Sequence, residues 1–214
     1  MNKLLKQSPI FTPNNEPYLG RESVYHFDQV ILSCLEANTE IAAFTHKNKN
    51  ELNDLQKAGC QLIPQGINLA LSIRELVRQG YLFAAAVLMR PLIERTATIS
   101  YLHEKPEEIA LWKNGWQYKE RPKLAKMLAT MNKEVDTKQA QEICDTFNSL
   151  THGDPISSSF NLVKLSSGGL GYSVGKTLNE PEFCDFICFQ SYCYLIVIMG
   201  RMAAYFPKTK KEEL

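Results

Sequence analysis

The chain has 214 residues, 44% hydrophobic and 22% charged, an ordinary globular composition that suits one domain, or one domain with a small insertion, around a sizeable core. A formal net charge of +1 excludes a protein that coats nucleic acid through a global basic field, while leaving room for a local basic patch. The opening stretch MNKLLKQSPIFTPNN lacks an apolar run of signal-peptide length, so no secretion signal is expected.

Residues 1–20 include Pro9, Pro13 and Pro17 with Asn14 and Asn15 between them, which predicts an extended arm. From Glu22 to about His46, Val24, Phe27, Val30, Ile31, Cys34, Leu35, Ile41 and Phe44 recur at helical spacing. The sequence KNKN breaks that helix. A second runs from about Glu51 to Gln79, with Pro64 kinking or dividing it, and Gly80 makes the turn. The next helix, YLFAAAVLMRPLIERTATISYLHE, is apolar nearly all round, as a central, enclosed helix should be.

Short helices follow at Glu107–Gly115 and Pro122–Met131, then one from about Thr137 to Thr151. Near 160–175, SFNLVKLSSGGLGYSVG alternates about a Gly-Gly turn and suits a small β-hairpin. Pro181 opens a last long helix to about Tyr205. Its segment Phe186–Gly200 falls short of the ~20 residues of a typical membrane span and carries Gln190 and Ser191, so a buried core helix is expected, with no membrane contact. The expected fold is all-α: an up-and-down bundle of four long helices plus short ones, over 21–207, with a charged tail at 208–214.

Several tempting motifs fail on spacing. GGLGYSVGKT ends like a phosphate loop, but Leu170 stands where that motif needs glycine, and no helix starts at the Lys-Thr. The cysteines are Cys34, Cys60, Cys144, Cys184, Cys188 and Cys193; no CxxC pair or nearby histidine completes a zinc site, so reduced core thiols are expected, with neither metal nor cofactor and a cytoplasmic location.

Three features carry functional weight. LWKNGWQYKERPKLAK mixes Trp112, Trp116 and Tyr118 with Lys113, Lys119, Arg121, Lys123 and Lys126, leaving a local charge of +4. Aromatic faces beside cations suit single-stranded RNA, but a connector whose tryptophans anchor it to the bundle while its lysines face water is the simpler reading. Arg90 and Glu94 share a face of the apolar helix at four-residue spacing, as a structural ion pair or as an anion clamp with an orienting carboxylate. In FNSLTHGDP, His152 sits at a helix C-terminus, with Gly153 as the stop and Asp154-Pro155 turning the chain away. The helix dipole alone favours a histidine there, and a near-neutral imidazole is also a competent general base.

The segments GYLFAAAVLMRPLIERTATISYL and FNSLTHGDP together resemble an uncharacterised bacterial helical family allied to the HEPN superfamily, over roughly residues 50–205. The resemblance implies a four- to five-helix bundle, often a homodimer through its site-bearing helices. It also implies metal-independent ribonuclease activity in toxin–antitoxin, abortive-infection or other antiphage systems. The family motif is an Arg, usually a polar residue, three more residues, then His. His152 and Asn148 match the last and the polar positions, while Phe147 stands where the arginine belongs.

Two functional expectations result. One is a metal-independent endoribonuclease with His152 as base, Arg90 as phosphate clamp, Glu94 as orienter, and Asn148 and Asp154 at the site; Trp112, Trp116, Lys119, Arg121 and Lys123 would touch RNA. The other is a non-catalytic nucleotide-binding or interaction module that engages a partner protein from the same defence or toxin system, its Arg/Glu cluster purely structural.

Overall fold

In the computed structural model, residues 16–117, 120–131, 136–152, 154–155, 157, 162–164, 167–172 and 175–207 are described. The tail at 208–214 and most of the arm lie outside them. The fold is all-α: α1 (Glu22–Lys47), α2 (Asp54–Gln79), α3 (Leu82–Glu104), a 3-10 turn at Pro106–Glu108, α4 (Ile109–Lys113), α5 (Leu124–Met131), α6 (Thr137–His152) and α7 (Pro181–Tyr205). Between α6 and α7, β1 (Leu162–Lys164) and β2 (Leu170–Tyr172) pair antiparallel, with Leu162 opposite Tyr172, as the alternation around the Gly-Gly turn predicts.

Local chemistry sets the boundaries. Asn53 accepts from the Gln56 N–H at 2.8 Å, and its own N–H donates to Gln56 Oε1 at 3.1 Å. This reciprocal cap starts α2 at Asp54, three residues later than periodicity suggests. Pro64 sits within a continuous helix rather than dividing it. Gly80 then takes φ 84°, and the Tyr81 N–H reaches back to the Leu76 carbonyl at 2.8 Å, a left-handed stop that suits glycine.

The enclosed position expected of α3 is observed: it packs on α2, α5, α6 and α7, with α1 laid across α2 and α7. α2 and α7 approach closely through glycine. A Cβ at Gly59 would come within 2.7 Å of the Tyr205 ring, and one at Gly66 within 2.6 Å of Ile198 Cδ1.

Inside this apolar core sits a charge that periodicity alone does not announce. Arg74 of α2 is fully buried, with Nε and Nη2 donating to the two carboxylate oxygens of Asp28 on α1, and Nη1 paired with Glu16. Burial works against the guanidinium charge, but hydrogen bonds and charge from Asp28 and Glu16 outweigh it and raise the Arg74 pKa. Burial likewise pushes the Glu16 carboxyl up.

Residues 16–20 differ from the extended arm expected of them. They form a turn in which Glu16 and Tyr18 are buried, and the Tyr18 hydroxyl donates to the Thr177 carbonyl. Thr177 in turn donates its N–H to Gly80 O at 2.7 Å. Nearby, Arg21 and Ser23 both donate to Asp185 at the start of α7. Polar ties of this kind outweigh proline content in fixing the segment.

Two outcomes are expected. Arg74→Met strands two buried carboxylates and should lower the free energy of urea unfolding by about 3–5 kcal/mol, with Glu16→Gln costing less than Asp28→Asn. Arg21 and Ser23 hold Asp185 below the usual carboxylate range. That tie is therefore complete above about pH 4 and is lost as pH falls through the depressed pKa. Arg21→Ala should remove this part of the acid limb of a stability–pH curve.

Candidate functional site

Helical spacing on α3 puts Arg90 and Glu94 one turn apart, and Arg90 Nη2 lies 3.3 Å from Glu94 Oε1. The pair is half-buried, with about a fifth of each side chain open to solvent, so it is not sealed in the core. Glu94 also faces Arg95 Nη1 at 3.9 Å and Arg121 Nη2 at 3.8 Å. One carboxylate thus stands among three guanidiniums, which leaves an excess of positive charge on this flank.

α6 brings the motif residues alongside. Cys144 is close enough to feel Arg90 and Glu94, though burial dominates and pushes its thiol up. One turn further lies Asn148, whose Oδ1 is buried without a hydrogen-bond partner, as is Arg90 Nη1. His152 comes another turn on, with its side chain exposed. At 1.5 Å per residue it is about 12 Å along the axis from Cys144. It makes no ion pair or hydrogen bond among the described residues, whereas Arg90 and Glu94 pair directly.

Phe147, at the arginine position of the resembled motif, is buried and stacks on Phe186 of α7 with centroids 6.3 Å apart. Position 147 therefore joins α6 to α7. Asp154 serves the turn after α6: its Oδ1 accepts from the Ser157 N–H at 3.2 Å and its carbonyl from Ser157 Oγ at 2.8 Å. Gly153 lies outside the described residues.

The basic, aromatic connector divides in two. Trp116 is buried edge-to-face against Tyr101, with centroids 6.3 Å apart, and Trp112 is half-buried on the same core. These are anchoring positions, as the simpler sequence reading has it. Gly115 at φ 84° and Trp116 at φ 35° reverse the chain in succession, a costly conformation for tryptophan that orients its ring inward. Lys113 is taken by Asp54, Lys123 is exposed, and Tyr118 and Lys119 lie outside the described residues.

Between this connector and helices α2 and α3 lies a cavity of about 490 Å³. Gln65, Arg95, Thr98, Trp112, Trp116 and Arg121 line it, with no carboxylate among the lining residues. Arg95 Nε donates to Gln65 Oε1 at 2.7 Å, and Trp116 Nε1 is a buried donor without a partner. The sequence offered Arg121 and the tryptophans. Arg95, Gln65 and Thr98 were missed because they come from two helices whose crossing no local pattern reveals. Among the described residues, no three His, Cys, Asp or Glu side chains group closely enough to hold a metal ion.

Residues 56–166 match the model of a family of unknown function, DUF5677, over just over half of the chain. The chain belongs to that family. The DUF5677 segment runs from the first turn of α2 past β1, so it includes the cavity, the arginine cluster and the whole α6 motif. No curated protein and no solved structure matches.

A double-mutant cycle on Arg90→Ala and Glu94→Ala should return a coupling of only about 0.5–1 kcal/mol by thermal unfolding, because the pair is partly solvated and Glu94 has other cations to face.

Proposed function

We propose that the chain is a cytoplasmic, HEPN-like helical protein of a bacterial defence or toxin system that binds single-stranded RNA at the Arg95–Arg121–Trp116 cavity. The observation that carries this reading is a donor-rich, carboxylate-free lining. Two guanidiniums line a space that a phosphate and its sugar would fill, with the Trp112 and Trp116 side chains in its wall. Glu94 is the one carboxylate facing Arg90, Arg95 and Arg121, so it competes with a bound phosphate for these cations without neutralising them all. Exposed Lys123 and Lys126 extend the positive edge along which a strand would run.

Cleavage is a second reading, favoured by the unpartnered Arg90 Nη1 and Asn148 Oδ1 on facing helices. In it, RNA entering over α6 orders the cluster, His152 takes the 2′-hydroxyl proton, Arg90 holds the phosphate and Glu94 orients them. No metal is required. The solvent-facing His152 imidazole is open to a substrate, but about 12 Å of helix separates it from the Cys144 level of the site. Binding is therefore the stronger reading.

Fluorescence anisotropy with a labelled single-stranded RNA tests it. Arg95→Ala and Arg121→Ala should each weaken binding about tenfold and make the salt dependence shallower, by ~0.7 in slope for each phosphate no longer neutralised. Glu94→Gln, which releases the cations, should tighten it. Unchanged affinity in both arginine variants would sink the proposal. The same RNA incubated in EDTA separates the second reading: chelator-resistant cleavage that disappears in His152→Ala and Arg90→Ala supports catalysis, and intact RNA removes it.

A further inference from the structure

In the cavity beside the connector, Leu62, Thr98 and Trp116 are buried and form the floor. Gln65, Gly115 and Arg121 are exposed at the mouth, with Arg95 half-buried. α2 supplies Leu62 and Gln65, α3 supplies Arg95 and Thr98, and the connector supplies the rest. The connector leaves the end of α3, reverses at Gly115 and Trp116, and comes back onto α3 as α5. The space is therefore walled on three sides. At about 490 Å³ it lies within the ~300–1,000 Å³ that encloses one small ligand. Grooves that track a strand hold about 4–16 nucleotides, whereas this one has room for a single nucleotide unit.

Charge and geometry select which unit. Arg95 Nη1 and Arg121 Nη2 converge on one oxygen, Glu94 Oε2, at 3.9 Å and 3.8 Å. Those two nitrogens are therefore close enough for one phosphate to touch both. Each distance exceeds the ~2.7–3.2 Å of an N–H···O hydrogen bond, so Glu94 tempers their charge without engaging these donors. Arg90 lies nearer to Glu94, at 3.3 Å, and offsets it, which leaves Arg95 and Arg121 with a surplus of two positive charges. A phosphodiester brings one negative charge and two unbridged oxygens. A terminal phosphomonoester brings about −1.5 to −2 charges at neutral pH and three strong acceptor oxygens. Two planar guanidinium forks are matched by the second better than by the first. We propose that the cavity recognises the phosphorylated end of a single-stranded RNA, with Arg95 and Arg121 clamping its terminal phosphomonoester.

This rests on the reading of the cavity as an RNA site and adds which part of the strand enters it. An end suits the enclosure, because a terminal nucleotide enters once through the mouth. An internal nucleotide must bring the backbone in and out again past the same two arginines. Trp112 and Trp116 give the interior aromatic surface for the end nucleotide, and Leu62 gives it an apolar floor. Thr98 Oγ1 donates to the Met127 sulfur at 4.0 Å, a weak bond that a ribose or base oxygen would replace. Phosphomonoesters at the 5′ and 3′ ends present the same group to the clamp, so the two ends are separated by experiment.

Anisotropy of one internally labelled oligonucleotide on the full chain, at fixed salt, tests this with 5′-phosphorylated, 3′-phosphorylated, doubly hydroxyl-ended and circular forms. Ribose carrying 2′-O-methyl groups throughout removes the nucleophile for cleavage, so every strand stays intact. A phosphorylated form should bind about 10- to 100-fold tighter than the hydroxyl form, as charged hydrogen bonds imply, and the form that gains identifies the end. The circle should match the hydroxyl form. Arg95→Ala and Arg121→Ala should each erase the preference, with circular dichroism unchanged, since neither side chain is buried. Arg121→Lys keeps the charge without the fork and should recover only part of it. Equal binding of phosphorylated and hydroxyl strands, both weakened by Arg95→Ala, would overturn the end reading and leave the RNA site standing. A preference that survives both alanine variants would overturn it too. No binding by any form would remove both readings.

Discussion

Arg74 is the constraint around which the bundle is arranged. A guanidinium with no exposed surface is tolerable only if carboxylates are brought to it, and they come from two places far away in sequence, Asp28 on α1 and Glu16 before it. Apolar packing would let α1 slide or rotate on α2 at modest cost. A two-point guanidinium–carboxylate pairing does not, so it fixes the rotation of α1 as well as its position. The effect reaches α7, where Cys188 feels both charges and its thiol is held well above normal by the Cys184 hydrogen bond and by burial.

A second group of charges, around Glu94 of α3, obeys different physics. Around Glu94 the arginines are half-open to water and share one carboxylate, so their pairing is cheap to break. An interior arginine with two carboxylates is structural; a solvated cluster with surplus cations beside a donor-lined cavity has capacity left for an anion. The fold thus separates the charges that specify its geometry from those available to a ligand.

Much of this architecture was legible in the sequence. Helical periodicity predicted every long helix, the all-round apolar character of α3 predicted its central place, and the Gly-Gly turn predicted the β1–β2 pair. Boundaries moved where side chains cap the backbone, as at Asn53. The buried triad had a faint signal: Arg74 falls on the same stripe as Ile63, Ile67, Ala70 and Val77, and Asp28 beside Phe27 and Ile31. That signal is faint because an arginine in an otherwise apolar row is indistinguishable by spacing alone from one at the solvated edge of the stripe. At the site, Arg90–Glu94 followed from four-residue spacing, and Trp112 and Trp116 anchor as composition allowed. The reach from α3 to Arg121 depends on how the connector folds back, which no short motif encodes.

The family match and the buried triad do not share boundaries. Residues 56–166 retain Arg74 but contain neither Asp28 nor Glu16, and they omit α7, which supplies the partners of Gly59 and Gly66. A fragment trimmed to the recognised segment would carry an arginine in its interior without these counter-charges, beside two grooves shaped for an absent helix. The matched segment is therefore smaller than the set of helices packed around it, with α1 and the turn before it supplying the counter-charges of Arg74 and α7 the side chains that meet Gly59 and Gly66.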